Sequence, residues 1–480
     1  MKKIYTLIVA LFFVTKVFAQ PCPDSLYLTS QAQVDSFQVL YPNCTEIDGD
    51  VVIDGGDITN LNGLSILTLI GGDLQIGVLY SNNPNLINLA GLDNVTSVGG
   101  HLDIYNNDAL TSLTGLENMT SVGGFLRILD NDALTSLTGL DNVTSVGGHL
   151  DIYNNAALTS LTGLDNVTSV GGRLSISSNA TLSSLTGLDN VTSVGGTLWI
   201  EGNGALSSLT GLDNVTSVGE DLYIYNNAAI TSLTGLDNVT SVGGFLWILD
   251  NAALTSLTGL DNVTSVGEFL HIYNNAVLSS LTGLDNVTSV GGSLWILDNA
   301  ALSSLTGLDN VTSIGGTLWI SENDALTSLT GLDNINADSI EDLYIDENQL
   351  LSSCAILSIC NYLANPNGTI SIYNNATGCD SPEEVQDSCE ANGVNIDEQF
   401  IADKLVIYPN PSSTQITLEL PTTPQKNTIL TIYNLNGQQL ITQPITEPQT
   451  VVDINGLPSG VYFVKVVDDE KVMVGKMVKE

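Results

Sequence analysis

From Val122 to Val146 the chain reads VGGFLRILDNDALTSLTGLDNVTSV, with apolar residues at Val122, Leu126, Ile128, Leu134, Leu137, Leu140, Val143 and Val146. Leu126 and Ile128 are two apart, the spacing of a strand with one buried face. The later apolar residues fall three apart, which predicts a winding, turn-rich path rather than a strand or a long helix. The segment then recurs. The Gly of TGL stands at Gly115, Gly139, Gly163, Gly187, Gly211, Gly235, Gly259, Gly283, Gly307 and Gly331, with Gly91 before them in the variant LAGL. From Gly91 to Gly331 the period is 24 residues without slippage. A fixed period of this length marks a solenoid, in which no copy buries its apolar edge alone and stacking supplies the core. Each coil is expected to hold one short strand and irregular sides. The FLRIL-type strands then stack into one parallel sheet.

After Cys389 the pattern changes. VIYPNPSSTQITLEL, TILTIYNLNGQQLI and VVDINGLPSGVYFVKVVDDEKVMVGKMVKE alternate apolar and polar residues between turns at Pro409-Asn410-Pro411, Asn436-Gly437 and Pro458-Ser459-Gly460. Short alternating strands with such turns predict a small antiparallel β-sandwich. At the other end, MKKIYTLIVALFFVTKVFAQ places two lysines before an apolar run, with Val17-Phe18-Ala19 as a cleavage site. This reads as a secretory signal peptide. The run is broken by Lys16 and is too short to anchor in a membrane. No other segment is long and apolar enough to be a transmembrane segment. The expected fold is all-β, a parallel β-solenoid with a small antiparallel sandwich. Its divisions are a signal peptide at 1–20, an N-terminal cap at 21–50, the solenoid at 51–350, a Cys-containing cap at 351–390, a linker at 391–404 and the sandwich at 405–480.

Charge and cysteine set the compartment. The formal net charge is −41, and the only basic residues between Lys16 and Lys404 are Arg127 and Arg173. A middle this acidic repels nucleic acid and anionic surfaces. Six cysteines (Cys22, Cys44, Cys354, Cys360, Cys379 and Cys389) flank the repeats, and none lies within them. An even number in an exported chain predicts disulfides that staple the two caps. Cys22 with Cys44 is the natural N-terminal pair, and pairing among the other four is open. No CxxC spacing or nearby His supports a metal site.

The coils differ mainly at the strand. Leu102 and Ile104 point inward, so His101, Asp103 and Tyr105 point outward by alternation. The central outward position runs Asp103, Arg127, Asp151, Ser175, Trp199, Tyr223, Trp247, His271, Trp295, Trp319 and Tyr344, and holds all four tryptophans of the chain. His101, His149 and His271 lie on the same face. Elsewhere the repeats are nearly constant. Asn131 and its equivalents after each strand are expected to turn inward and bond backbone groups and one another. The first Gly of each GG pair is expected to need a positive φ, since Glu220 and Glu268 replace only the second. Asp93, Glu117 and Asp141 through Asp333 stack once per coil. Neighbouring like charges about 5 Å apart repel by roughly 1 kcal/mol in water. Local bonds to backbone are the expected offset. A calcium ladder is the alternative, and otherwise no cofactor or metal is expected.

Two resemblances follow from these motifs. The order L-x-I-x-x-N-x-x-L resembles a leucine-rich repeat. The longer line, with GL-(D/E)-N-(V/M)-T-S-V-GG between strands and NCTEIDGDVVIDGGDITNLNGLSILTLIGGDLQI before them, is similar to the receptor L domain, which implies a right-handed solenoid over roughly residues 22–390. The copies here are far more alike than is usual in that family, so no partner is carried over from it. The C-terminal segment closely resembles the type A sorting domain of the bacterial type IX secretion system. The match rests on Tyr408-Pro409-Asn410-Pro411, Leu435-Asn436-Gly437, Leu457-Pro458-Ser459-Gly460-Val461-Tyr462 and Lys476-Met477-Val478-Lys479. It implies Sec passage to the periplasm and export, through the type IX machinery, to the surface or exterior of a Bacteroidota-type cell. The NVT triplets are accordingly read as structural rather than as glycosylation sites.

The functional expectation is a non-enzymatic binding or adhesion module. An extracellular glycan or protein would bind on the outward aromatic column from Trp199 to Tyr344. The solenoid has no Lys and no acidic cluster set apart from its ladder, so the acid/base set of a polysaccharide-cleaving enzyme is not expected. The alternatives are a passive spacer or surface-coat rod and, less favoured, an ice-binding array on the Thr111 and Thr114 columns.

Overall fold

A computed structural model describes residues 20–78, 83–391, 405–420, 423–424, 428–434, 438–467 and 472–480. The signal peptide expected at 1–20 lies outside the described residues except for Gln20. The linker expected at 391–404 and Leu435-Asn436-Gly437 lie outside them too, apart from Ala391. Contacts divide the chain into two compact units, residues 1–394 and 395–480.

The first unit is a parallel β-solenoid. Strand Leu126–Leu129 pairs in parallel with Leu102–Tyr105 on one side and Leu150–Tyr153 on the other, Leu126 opposite Leu102 and Leu150. The series continues in sequence order through a 15-stranded sheet, from Leu26–Leu28 to Ile370–Tyr373. The seven apolar positions of the coil are almost fully buried from copy to copy, as at Leu126, Ile128, Leu134, Leu137, Leu140, Val143 and Val146.

The sides are more ordered than the three-residue spacing predicts. Ser145–Val146 pairs with Ser121–Val122 and Ser169–Val170, and such two-residue strands build a second parallel sheet of 12. Two extended residues are too few to leave an alternating signature, so the sequence reads as irregular there. Thr120, just before, donates through both its backbone N–H and its Oγ1 to the Thr96 carbonyl one coil back.

Inside each coil the turn after the strand is held by asparagine. Asn131 Nδ2 donates to the Ile104 carbonyl of the preceding coil at 3.0 Å, to the Leu129 carbonyl at 3.0 Å and to Asn155 Oδ1 at 3.2 Å. Its Oδ1 accepts from the backbone N–H and the Nδ2 of Asn107, each at 3.1 Å. The same links run from Asn83 to Asn375 without a gap. From Asn107 onward the residue before each ladder asparagine takes a left-handed backbone, as at Asn106, Asp130, Asn154 and Ser178 (φ between 51° and 58°), which short polar side chains tolerate best.

The glycines correct one expectation. The first Gly of each GG pair does not have a positive φ; that belongs to the TGL glycine, as at Gly115 and Gly139 (φ 114° and 116°). Gly123 is glycine for room, because a Cβ there would run into the Gly99 carbonyl of the neighbouring coil. At the second position the atom nearest a Cβ is usually in a side chain, such as His101 beside Gly124, and a side chain can yield. That is why Glu220 and Glu268 are accommodated.

Both ends are capped. Helix Gln31–Leu40 buries Val34 and Phe37 over the first coil, and Cys22–Cys44 closes it. At the other end helices Leu357–Ala364 and Pro382–Ala391 are held by Cys354–Cys379 and Cys360–Cys389. These helices are an addition to the all-β expectation. The second unit has its own core, including Ile416, Leu418, Leu430, Ile432, Val452, Val464 and Met477. Its strands form antiparallel sheets of three and four.

A mid-ladder change tests this account. Asn203→Ala strips the acceptor from the Asn179 backbone N–H and the donor from the Ile176 carbonyl. Each buried group left unpaired costs about 1–3 kcal/mol. The urea midpoint should fall well below that of Asn214→Ala, whose exposed amide bonds only the Asp189 carbonyl. Equal midpoints would show that the ladder does not hold the coil.

Candidate functional site

Parallel register places the outward residues of successive strands side by side, at about 4.8 Å per coil. Trp199 stands beside Tyr223, Tyr223 beside Trp247, Trp247 beside His271, His271 beside Trp295, and Trp295 beside Trp319 and then Tyr344. Their ring centroids follow at 4.5, 5.0, 5.8, 5.3, 5.6 and 5.7 Å. The seven residues thus form one continuous, half-buried ladder. Phe245 packs on Trp247 and Phe269, and Phe269 stacks on Trp295, so the flanking column thickens the middle.

The ends of the ladder are tied and its middle is not. Trp199 Nε1 donates to Glu201 Oε2 at 2.7 Å, and Trp319 Nε1 to Asp346 Oδ1 at 3.1 Å. Tyr223 OH donates to Asp221, and burial followed by the Asp221 charge pushes its pKa up to about 12. In the middle, Trp247 Nε1, His271 Nε2 and Trp295 Nε1 are buried without a hydrogen-bond partner. Edge-to-face packing accounts for the site: His271 meets Trp247 at 86° and Trp295 at 83°. Such packing sets ring edges against neighbouring faces, the aromatic counterpart of a weak hydrogen bond. Burial between the two indoles lowers the His271 pKa to about 4.

The N-terminal half of the same face is polar. Arg127 makes a bidentate ion pair with Asp103, both bonds 2.7 Å, and lies over the rings of Tyr105 and Phe125. Asp103 and Tyr105 point outward, as alternation predicts, yet both are buried, because the guanidinium and its neighbours cover them. Burial and then Asp103 drive the Tyr105 pKa well above its ordinary value. Arg173 pairs with Asp151 at 3.0 Å. His101, Phe125 and His149 stack at 4.3 and 4.4 Å.

The acid ladder is held by local bonds. Glu117 accepts from the Gly115 N–H at 2.8 Å, Asp141 from Gly139 at 2.8 Å, and the pattern repeats to Asp333 and Gly331. The adjoining Asn142 Nδ2 donates to the Glu117 carbonyl one coil back. On the threonine columns Thr111 Oγ1 donates to the Ile87 carbonyl and Ser112 Oγ to Thr114 Oγ1. Among the described residues no group of three or more His, Cys, Asp or Glu is arranged to hold a metal ion.

In the second unit the YPNP segment clasps the last strand, Val472–Lys479. Asn410 Nδ2 donates to the Lys476 carbonyl at 2.7 Å, and Asn410 Oδ1 accepts from the Val478 N–H at 2.8 Å. Pro409 and Pro411 flank it, exposed, and Tyr408 OH accepts from Gln449. Tyr462 is buried and donates to the Pro458 carbonyl, closing the turn that contains Gly460. Lys476 is exposed, whereas Lys479 is largely buried, its Nζ on the Glu480 carbonyl. The family model for this architecture matches here. Residues 406–480 are a secretion system C-terminal sorting domain. No curated protein matches the chain. The sorting domain makes this a protein exported by type IX secretion, secreted or surface-located, of a Bacteroidota-type bacterium, with the type IX machinery as a partner. Among the described residues no helix is long and apolar enough to cross a membrane.

His271 gives a pH test. Its folded-state pKa of about 4 lies below the ordinary imidazole value of 6.5, so the fold holds it neutral. The stability this contributes is intact above the unfolded pKa. It is lost as pH falls from 6.5 toward 4, where the unfolded chain takes up the proton first. Melting curves of His271→Asn should therefore fall less steeply over this window than wild type. Parallel curves would mean that the imidazole is not held neutral.

Proposed function

We propose that the solenoid is a non-enzymatic binding or adhesion module that takes a glycan or protein on the aromatic ladder from Trp199 to Tyr344. The observation that carries this reading is the placement of every tryptophan of the chain in one outward, half-exposed column. A core position would bury indole more completely, and neighbouring coils manage the same position with Asp, Arg or Ser. Indole and phenol faces stack on the apolar faces of sugars and anchor protein contacts. Repetition along the sheet lets several weak contacts act together on an extended ligand.

Charge narrows the ligand. The two arginines of the solenoid are both engaged by aspartates, and the formal net charge is −41. Neutral glycans or basic protein patches fit better than anionic polysaccharides. Delivery would begin with Sec passage on the N-terminal signal peptide and end with the sorting domain at the outer membrane.

The ring-on-ring contacts favour a second reading, a passive spacer or coat rod whose aromatics only stabilise the stack. Aromatic pairs contribute about 0.5–1.5 kcal/mol each beyond area burial. The two readings part on mutation. Trp247→Ala and Trp295→Ala should each weaken ligand binding tenfold or more, read by tryptophan fluorescence titration with neutral polysaccharides and by cell adhesion. Unchanged adhesion with a lowered melting temperature would leave the spacer. Incubating the purified protein with plant, algal and host polysaccharides should release no reducing ends, and turnover of any of them would end the non-enzymatic reading.

A further inference from the structure

An open cavity of about 400 Å³ lies beside the ladder, lined by Tyr225, Asn226, Asp250, Ala252, Asn274 and Ala276. This volume is within the range of small-ligand sites. Its polar groups come from three successive left-handed turns, Asn226, Asp250 and Asn274, with φ of 54°, 57° and 50°. The ladder asparagines Asn227, Asn251 and Asn275, fully buried, fix those turns from behind. Asp250 Oδ1 accepts from Asn274 Nδ2, which leaves Asp250 Oδ2, Asn274 Oδ1 and the whole Asn226 amide without a side-chain partner. Tyr225 supplies an aromatic wall, and the methyl groups of Ala252 and Ala276 keep the space open.

We propose that this cavity is a subsite for one neutral pyranose ring, at the edge of the aromatic ladder. A carboxylate oxygen and an amide on adjacent coils offer an acceptor and both kinds of amide group to neighbouring hydroxyls. The tyrosine ring takes the apolar C–H face. Two neutral amides around a carboxylate already shared with Asn274 suit a polyol better than an ammonium group, which needs acceptors only. The subsite rests on the reading of this face as glycan-binding and gives it a specific sugar-sized end.

The chain carries its own control. Five coils earlier the equivalent positions are Tyr105, Asn106, Asp130, Asp132, Asn154 and Ala156. The set is the same except that Asp132 stands where the cavity has Ala252. There Asn154 Nδ2 again bonds Asp130 Oδ1, and Arg127 covers the Tyr105 ring. Ala252→Asp therefore installs a side chain that this repeat already folds with, while filling the cavity and adding a second negative charge.

The experiment uses the full chain, with saturation-transfer NMR and calorimetry against methyl glycosides of glucose, mannose, galactose and N-acetylglucosamine. N-acetyl-lysinamide serves as the cationic comparator. At least one glycoside should bind saturably, and Ala252→Asp should weaken it tenfold or more while the circular dichroism spectrum is unchanged. Binding of no glycoside, of N-acetyl-lysinamide alone, or equally to both proteins overturns the subsite. If neutral polysaccharides still bind and Trp247→Ala weakens this tenfold or more, the subsite falls and the ladder reading stands. If polysaccharides fail as well, both fall.

Discussion

The asparagine ladder is the constraint from which the rest of the solenoid follows. Each amide bonds the coil behind and the coil ahead, and most bond their own turn as well, so a coil is complete only between two neighbours of the same shape. A buried amide left half-satisfied costs more than its bonds return. The ladder therefore needs an end on either side. It gets one from the Gly55 N–H at Asn83 Oδ1, and another from Asp380 and the Cys379 carbonyl at Asn375. The disulfide Cys354–Cys379 fixes that last carbonyl, which ties the oxidising compartment to the geometry of the core.

Close backbone approach adds the second constraint. Gly123 and its equivalents leave no room for a Cβ against the neighbouring glycine carbonyl, and the TGL glycines combine a positive φ with the same crowding. In each coil the ladder asparagine, two glycines and seven buried apolar positions are dictated by neighbours. Near-identity of the copies is what such a stack tolerates. The outward strand positions are not dictated in this way. Variation is concentrated there, dividing one continuous sheet face into an Asp–Arg half and a Trp–Tyr–His half.

Much of this was legible in the sequence, for identifiable reasons. Leu126 and Ile128 are two apart and buried, and repetition at 24 residues fixes their register without any need to see the coil. Asn131 could be placed inward because a polar residue recurring among apolar ones must find partners. The second sheet escaped because Ser145–Val146 is too short to alternate. The reason for glycine at Gly123 escaped because φ and crowding leave the same letter in a sequence. Alternation gave the direction of Asp103 but not its burial, which depends on Arg127 one coil later. The Tyr225–Asp250–Asn274 cavity was invisible for a similar reason: it is made by what Ala252 lacks.

The outward face shows how a stack with fixed insides can be given different surfaces. Exchanging the central residue of one strand changes nothing in the ladder or the core, so the exchange is limited only by its two neighbours on the face. Polar coils meet this limit by ion pairing, Arg127 on Asp103 and Arg173 on Asp151. Aromatic coils meet it by packing ring on ring, and at the two ends acids tie the indole N–H groups. In the middle, from Trp247 to Trp295, no acid bonds the rings and three ring nitrogens are unpartnered. That stretch gives up hydrogen bonding for a half-buried aromatic surface. A spacer would lose nothing by tying these nitrogens down as the ends do, whereas a surface that stacks against apolar ligand faces gains from having no carboxylate bonded to its rings.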